Sequence, residues 1–249
     1  MATRAITSKK AARASVAQVA FRGTSEAASS PEKVVDAIHR GILAGRYVPG
    51  QKLIEADLTE SLGVSRGPVR EALKRLDAEG VVELTRHRGA YVRSLTRAET
   101  IDLLEILELL TGLIARRAAL AVAKDRDPDS PSTRKLQDAF KWLERFKDSS
   151  LENSAFLEQR SHFYDVLIAV GGNSQLQSVM PMMRIHLLRL QVQPFFSTEE
   201  RQDRLDEYAA ITAAVLNGDN AEARKAMRYH MKRMTQRIGR LPDEVFARA

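Results

Sequence analysis

SRGPVREALKRLDAEG, residues 65–80, is the stretch that decides how this chain folds. Ser65 is a candidate N-cap, with a hydroxyl able to accept from the free amides of a new helix, and Pro68 lies within the first turn. Val69, Leu73 and Leu76, with Ala72 beside them, form one apolar stripe at helical spacing. Arg66 and Arg70 stand four apart on another face, Lys74 continues that row, and Gly80 closes the helix. A helix with a buried stripe and basic residues near its start suits the DNA major groove while its back packs on a small core. An ordinary amphipathic helix with solvated charges would share these features. The flanking sequence separates the two.

Upstream, Pro31 follows Ser30 as a first helical position, and Val34, Val35, Ile38, Ile42 and Leu43 recur at helical spacing up to Ala44-Gly45. RYVPG at 46–50 reads as a turn, because Pro fixes one dihedral and Gly permits the next. A second helix is predicted from Glu55 to Leu62, with Leu58 and Leu62 facing the core, and Gly63-Val64 makes a tight turn into the third. Two short helices, a glycine-containing turn and a basic-fronted helix are helix–turn–helix grammar. Downstream, VVELT at 81–85 and AYVR at 90–93 are strand-like, joined by the basic tip RHRG at 86–89. Residues 31–94 are therefore expected to form a winged helix–turn–helix, with wing charges suited to phosphates or the minor groove.

The run 41–89, especially RYVPGQKL, GVSRGPVREAL and RLDAEGVVEL…RGAYV, resembles the DNA-binding domain of GntR-type transcription regulators. That resemblance implies that Arg66 and Arg70 contact operator base edges or nearby phosphates. It also implies that Ser65 contacts the backbone and that Arg88, flanking the wing-tip Gly89, touches DNA. Gly67 stands where the family often carries Thr. Guanidinium groups suit base reading because they are permanently charged and fork onto guanine N7 and O6. Arg66 and Arg70 are the expected base readers, Lys74 and Arg75 lie at phosphates or in solvent, and His87 is an exposed wing residue.

With 249 residues the chain allows one large or two modest domains, and its apolar and charged fractions are those of a globular protein. A formal charge of +7 favours an anionic partner. The absence of cysteine excludes disulfides, thiolate zinc sites and a cysteine nucleophile, and fits a reducing cytoplasm. No apolar run is long enough to span a membrane and no secretory core follows the start, so the expected location is cytoplasmic. Residues 1–30 are rich in Ala, Ser, Thr, Arg and Lys, with Glu26 their only acidic residue. Such a composition reads as a flexible basic tail, with a transit peptide or a phosphate-touching arm as alternatives.

From Thr96, an N-cap with Glu99 completing a capping box, the pattern is helical throughout. Six helices are predicted, over 97–123, 132–147, 151–170, 174–192, 198–216 and 220–239, separated by DPDSP, GGN, Pro194 and NGDN. An antiparallel α-helical bundle over 95–241, followed by a C-terminal tail at 242–249, is the natural solution. The expected fold class is mainly α, a winged helix–turn–helix with a small β wing followed by that bundle. Beside a DNA-binding unit, such a bundle dimerises it on two half-sites or encloses a small ligand.

Polar residues on apolar faces mark the candidate pocket. Arg160 and Tyr164 share the stripe of Phe156, Phe163 and Leu167; Tyr208 joins Leu205, Ile211 and Val215; His230 sits among Met227, Met231 and Met234. Arg160 either pairs internally with a carboxylate, snorkels out at the rim, or binds a ligand. His230 and His186 read as hydrogen-bonded core residues, the methionines as core, and His162 as exposed.

The bundle resembles the C-terminal effector domain of the FadR branch of that family, called FCD, in its VanR-like six-helix form. Its anchors are Phe163…Gly172-Asn173, Glu207-Tyr208…Asn217-Gly218-Asp219 and Ala226-Met227…His230. Many members of that branch hold a divalent metal with one Asp and three His, and the metal grips a carboxylate effector. At those positions this chain has Arg160, Tyr164, Tyr208 and His230, with Leu107 and Thr111 replacing the usual polar pair of the first bundle helix. One imidazole and two phenols beside a guanidinium do not suit zinc. No metal and no other cofactor is expected.

The chain is thus expected to be a DNA-binding transcription regulator, a repressor acting as a homodimer on a short inverted repeat of double-stranded DNA. A small anionic effector, such as a carboxylate, would be held by Arg160 with Tyr164, Tyr208 and His230 donating hydrogen bonds. The alternatives are a metal-dependent carboxylate sensor of the same family and an enzyme in the helical domain. Against an enzyme stand the absent nucleophile elbow, phosphate loop and carboxylate pair.

Overall fold

Val34, Ile38 and Ile42 from the first helix meet Val69, Leu73 and Leu76 from the third in one dry core, as their helical spacing requires. The computed structural model describes residues 30–125, 127, 130–147 and 153–248. Of the tail expected over 1–30, residues 1–29 lie outside the described residues, and Ser30 opens the first helix. This first core is built by α1 (Ser30–Leu43), α2 (Glu55–Leu62) and α3 (Arg66–Ala78). Gly63 turns α2 into α3 in the left-handed conformation, φ 63°, with its N–H donating to the Thr59 carbonyl; a side chain there would be strained. Ser65 has the extended backbone of an N-cap, yet its hydroxyl makes no capping bond. Pro68, third in the helix, lacks the N–H that a capping serine would meet there, which corrects the expected role of that hydroxyl.

The wing is the hairpin of β2 (Val82–Thr85) and β3 (Gly89–Val92). A two-residue strand, β1 (Lys52–Leu53), pairs on the other side of β3, giving the antiparallel order β1-β3-β2 with Leu53 and Leu84 both opposite Ala90. Its length is below any readable period, so the sequence pattern shows only a turn nearby. Asp77 Oδ1 accepts from the Leu84 N–H at 3.0 Å and fastens the wing to the end of α3.

The bundle comprises α4 (Arg97–Asp125), α5 (Pro131–Glu144), α6 (Asn153–Gly171), α7 (Ser174–Val179), α8 (Met182–Val192), α9 (Thr198–Leu216) and α10 (Asn220–Gly239). The expected capping box forms at the start of α4: Thr96 Oγ1 accepts from the Glu99 N–H, and Glu99 Oε2 from the Thr96 N–H. Ser197 and Glu200 repeat the device at α9. α4 packs along α6, α9 and α10. The count is seven helices among the described residues rather than six, because the helix predicted over 174–192 breaks at Met180-Pro181. Pro181 cannot donate to the preceding turn, and Met180 before it takes an extended conformation, φ −71° and ψ 119°.

That break frees α8 to serve two cores. Leu187 is buried in the winged core with Met183 beside it, whereas Ile185, Leu188 and Val192 belong to the bundle core. Gln191 on the same helix accepts from the Leu95 N–H and donates to the Leu95 and Val245 carbonyls at 2.8–3.0 Å. Residues 242–248, expected as a tail, are pinned there: Phe246 is buried under the Arg97 guanidinium, and Ala247 N–H donates to Leu95 O.

Candidate functional site

α3 turns its basic row outward. Arg66, Arg70 and Lys74 are exposed, as are Ser65 at its start and Arg86, His87, Arg88 and Gly89 at the wing tip. His87 takes a positive φ of 66° at the apex of the hairpin. Arg70 Nε donates to Glu55 Oε2 at 3.0 Å, an exposed pair that contributes little stability and exchanges readily for phosphate or base. Arg66, Lys74, Arg86 and Arg88 have no carboxylate partner among the described residues, so their charge is available to an anion.

A second cluster of polar residues is buried. Arg160 on α6, Tyr164 one turn on, Tyr208 on α9 and His230 on α10 are each at most 5% exposed and lie in the bundle core. Arg160 neither pairs with a carboxylate nor reaches the rim. Its Nε donates to Tyr208 Oη at 3.0 Å, and its guanidinium stacks on the Tyr164 ring 4.5 Å away. Tyr164 Oη points to Met227 Sδ at 3.6 Å, and the Tyr208 ring lies 4.7 Å from the His230 ring. His162 is exposed.

Comparison with known proteins bears on both sites. Residues 31–92 match the model described as bacterial regulatory proteins, gntR family, and residues 102–233 match the FCD domain. The chain belongs to the GntR family of bacterial regulators. It is 28% identical over 198 residues to the HTH-type transcriptional repressor GlaR of Escherichia coli (strain K12), covering 76% of this chain and 87% of that protein. Over 217 residues it is 28% identical to the HTH-type transcriptional regulator Mce2R of Mycobacterium tuberculosis (strain CDC 1551 / Oshkosh), covering 80% and 87%. The solved structure of E. coli McbR/YncC shares the fold, with a TM-score of 0.67 at 19% identity over 86% of this chain and 98% of that one. This GntR-family chain is accordingly a DNA-binding transcription regulator with a helical FCD effector domain. Among its described residues no helix is long and apolar enough to cross a membrane.

The FCD domain of this regulator has a donor set unlike a metal centre. Among the described residues no three His, Cys, Asp or Glu side chains converge on one point. His230 Nδ1 lies 2.6 Å from Glu207 Oε2, so with Glu207 ionised that nitrogen carries the proton and is used up. The sequence expectation that His230 donates to a ligand is thereby corrected: in the neutral ring the remaining Nε2, buried and without a protein partner, accepts. Glu207 also accepts from Arg237 at 2.8 and 3.2 Å, and this shared use dilutes its pull on the imidazole. Burial, with the charges of Arg189 and Arg160 nearby, holds His230 down at about 4.

Several of these groups escaped the sequence. Arg189 on α8 and Arg204 on α9 are 1% and 2% exposed, deeper than Arg160. Arg204 lies four residues before Tyr208 and seven before Ile211, on the same stripe, so its spacing was the available signal. Glu207, next to Tyr208 in the chain, was visible only as a family anchor.

His186 is likewise buried, and burial holds it down at about 4 against the pull of the Ile42 backbone. Both imidazoles are therefore neutral in the fold, whereas in the unfolded chain they take up protons near pH 6.5. The unfolded state binds more protons between pH 6.5 and 4, so stability present above 6.5 is lost as pH falls through that window. The loss is expected to reach up to about 3 kcal/mol per histidine. Urea titrations at pH 7.5, 6 and 5 measure it; a His186→Leu variant should flatten the profile, and a midpoint constant down to pH 5 would contradict the assignment.

Proposed function

We propose that this regulator is a homodimeric repressor of a short inverted repeat, relieved when a small anion enters its FCD domain at Arg160, Tyr164 and Tyr208 without a metal. The winged unit over 31–94 reads the DNA, and the bundle over 95–241 senses the effector in the cytoplasm. The observation that carries the effector reading is Arg160, a buried guanidinium whose polar partner is a neutral phenol. A buried cation of this kind gains from an anionic ligand far more than an exposed one. A divalent cation would be repelled there, since one free imidazole nitrogen and two phenols offset nothing. His230 Nε2 accepts from a hydroxyl or carboxyl proton of the ligand.

Repression follows the role by which the E. coli relative GlaR is named. Dimerisation is supported by Ile106, Leu109 and Leu113, which stand exposed at three- and four-residue spacing on one face of α4. A second copy would bury them and present two α3 helices to two half-sites.

Fluorescence anisotropy on the DNA upstream of its own gene tests this, with a panel of carboxylates and acyl-thioesters added to the complex. An effector is expected to weaken binding at least about tenfold, the range of ordinary allosteric coupling. Arg160→Met is expected to bind the same DNA and ignore the effector. An equal response from Arg160→Met would refute the site, and a response abolished by chelation would restore the metal reading.

A further inference from the structure

We infer that Arg189 and Arg204 join Arg160 in a single site for a small anion carrying two or more negative charges. This rests on the effector reading above and specifies its ligand class. Three helices, α6, α8 and α9, each send one guanidinium into the bundle interior, and all three side chains are at most 5% exposed. Arginine stays charged in this setting, so three positive charges are buried together.

None of the three has a carboxylate at ion-pair distance among the described residues. Their hydrogen-bond partners are neutral: Tyr208 Oη for Arg160, Met234 Sδ at 2.9 Å for Arg189, and Gln193 Oε1 at 2.9 Å for Arg204. Glu207, the buried carboxylate of this region, is taken up by His230 and Arg237. Several donors are left over: Nε and Nη2 of Arg189 and Nε of Arg204 are buried with no partner in the protein. Buried charged donors are ordinarily paired, and leaving them bare is costly.

Burial weighs against the charge of all three; Tyr208 and Tyr164 outweigh it at Arg160, which is held above its ordinary value, but not at the other two. Burial first, then the charge of Arg160, brings Arg189 down to about 9; burial, with Arg237 and Arg160, brings Arg204 down to about 10. A monocarboxylate would compensate one guanidinium and leave two. An anion with two or three charges compensates the cluster and supplies acceptor oxygens for the orphan N–H groups. Apolar groups border the cluster: the Arg204 guanidinium lies 4.9 Å from the Phe196 ring and 5.2 Å from the Phe156 ring, and Met234 borders Arg189. Both polycarboxylates and phosphate monoesters carry this chemistry.

Calorimetry and thermal unfolding of the full chain, at fixed low ionic strength, decide it with acetate, succinate, citrate and inorganic phosphate as probes. Succinate, citrate or phosphate is expected to bind at least about tenfold tighter than acetate, in line with one extra charged hydrogen bond. Preference for phosphate over the carboxylates assigns the site to phosphorylated compounds; the reverse assigns it to polycarboxylates. Arg189→Met and Arg204→Met are each expected to lose about tenfold or more for the multiply charged probe and distinctly less for acetate. Without ligand, Arg189→Met should melt several degrees higher, because a bare buried charge is gone. Arg189→Lys, which keeps the charge but loses the fork, is the second variant should Arg189→Met fail to fold; it is expected to bind the same probe more weakly than the unaltered chain.

Acetate binding as tightly as the multiply charged probes, with affinity dependent on Arg160 alone, would overturn this inference and leave the anionic-effector reading standing. Absence of binding by every probe, with Arg160→Met melting higher, would overturn both.

Discussion

Arg66→Ala and Arg70→Ala are each expected to lower operator affinity roughly ten- to hundredfold, about 1–3 kcal/mol per lost base contact. Both side chains are exposed on α3, and neither packs in the core, so truncation should leave the fold and its melting temperature unchanged. Arg70 enters the complex from its pair with Glu55, which costs little to break. The loss should fall on specific DNA, while binding to unrelated duplex changes only by the weaker phosphate contribution. Arg66→Lys and Arg70→Lys sharpen the test, because lysine retains the charge without the planar fork and should recover salt dependence but not sequence preference. Lys74→Ala and Arg88→Ala are expected to weaken all DNA alike. Anisotropy titrations against operator and scrambled duplex at two salt concentrations separate these outcomes. Operator affinity unaltered in both alanine variants would mean that another element reads the bases.

The largest effect on stability is expected from Glu207→Ala, a loss of about 3–5 kcal/mol. Glu207 Oε1 and Oε2 accept from Arg237 at 2.8 and 3.2 Å, Oε2 meets His230 at 2.6 Å, and Arg233 lies 3.5 Å from Oε1. Arg237 is itself 4% exposed, so removing the carboxylate strands a buried cation with only the half-exposed Asp203 as partner. It would also remove the buried carboxylate from an interior that already holds Arg160, Arg189 and Arg204. Glu207→Gln keeps the shape and one acceptor and should cost less; Glu207→Gln with Arg237→Met should recover part of the loss. Urea denaturation reads the midpoint, with an unchanged slope confirming that the fold is otherwise intact. A cost below about 1 kcal/mol, the worth of an ordinary hydrogen bond, would show that the network carries no net stability.

Much of this architecture was legible from spacing alone. α2, α9 and α10 end where their punctuation lies, at Gly63, Asn217 and Gly239, because each stop is a local backbone event. Arg160 and Tyr164 announced themselves as polar residues on an apolar stripe; in the bundle Tyr208 meets Arg160, and His230 lies beside Tyr208. Arg189 was hidden because the stripe expected in its helix runs through Met183, His186 and Leu190, whereas the face buried in the bundle carries Ile185, Leu188 and Val192 with Arg189 among them. Arg204 and Glu207 lie within EERQDRLDEY, a charge run that reads as a solvated face. The spacing of Arg204 from Tyr208 and Ile211 was the one sign that part of it faces inward, where Arg204 meets Gln193 and Phe196 and Glu207 meets α10. The missing cap at Ser65 needed the register of Pro68 within the helix, which sequence places to a turn but not to a residue.

Two residues apart on α8, Leu187 is seated in the winged core and Arg189 among the bundle's buried charges, about 200° apart around the helix. The two cores therefore share a wall. A chimera that grafts the winged unit of another regulator onto this bundle would bring a foreign socket for Leu187. Such a graft would need that socket recut around Met183 and Leu187 before it could fold as one piece. The same shared wall makes α8 a lever: whatever tilts it at Arg189 also moves the floor on which α1 and the reading head stand.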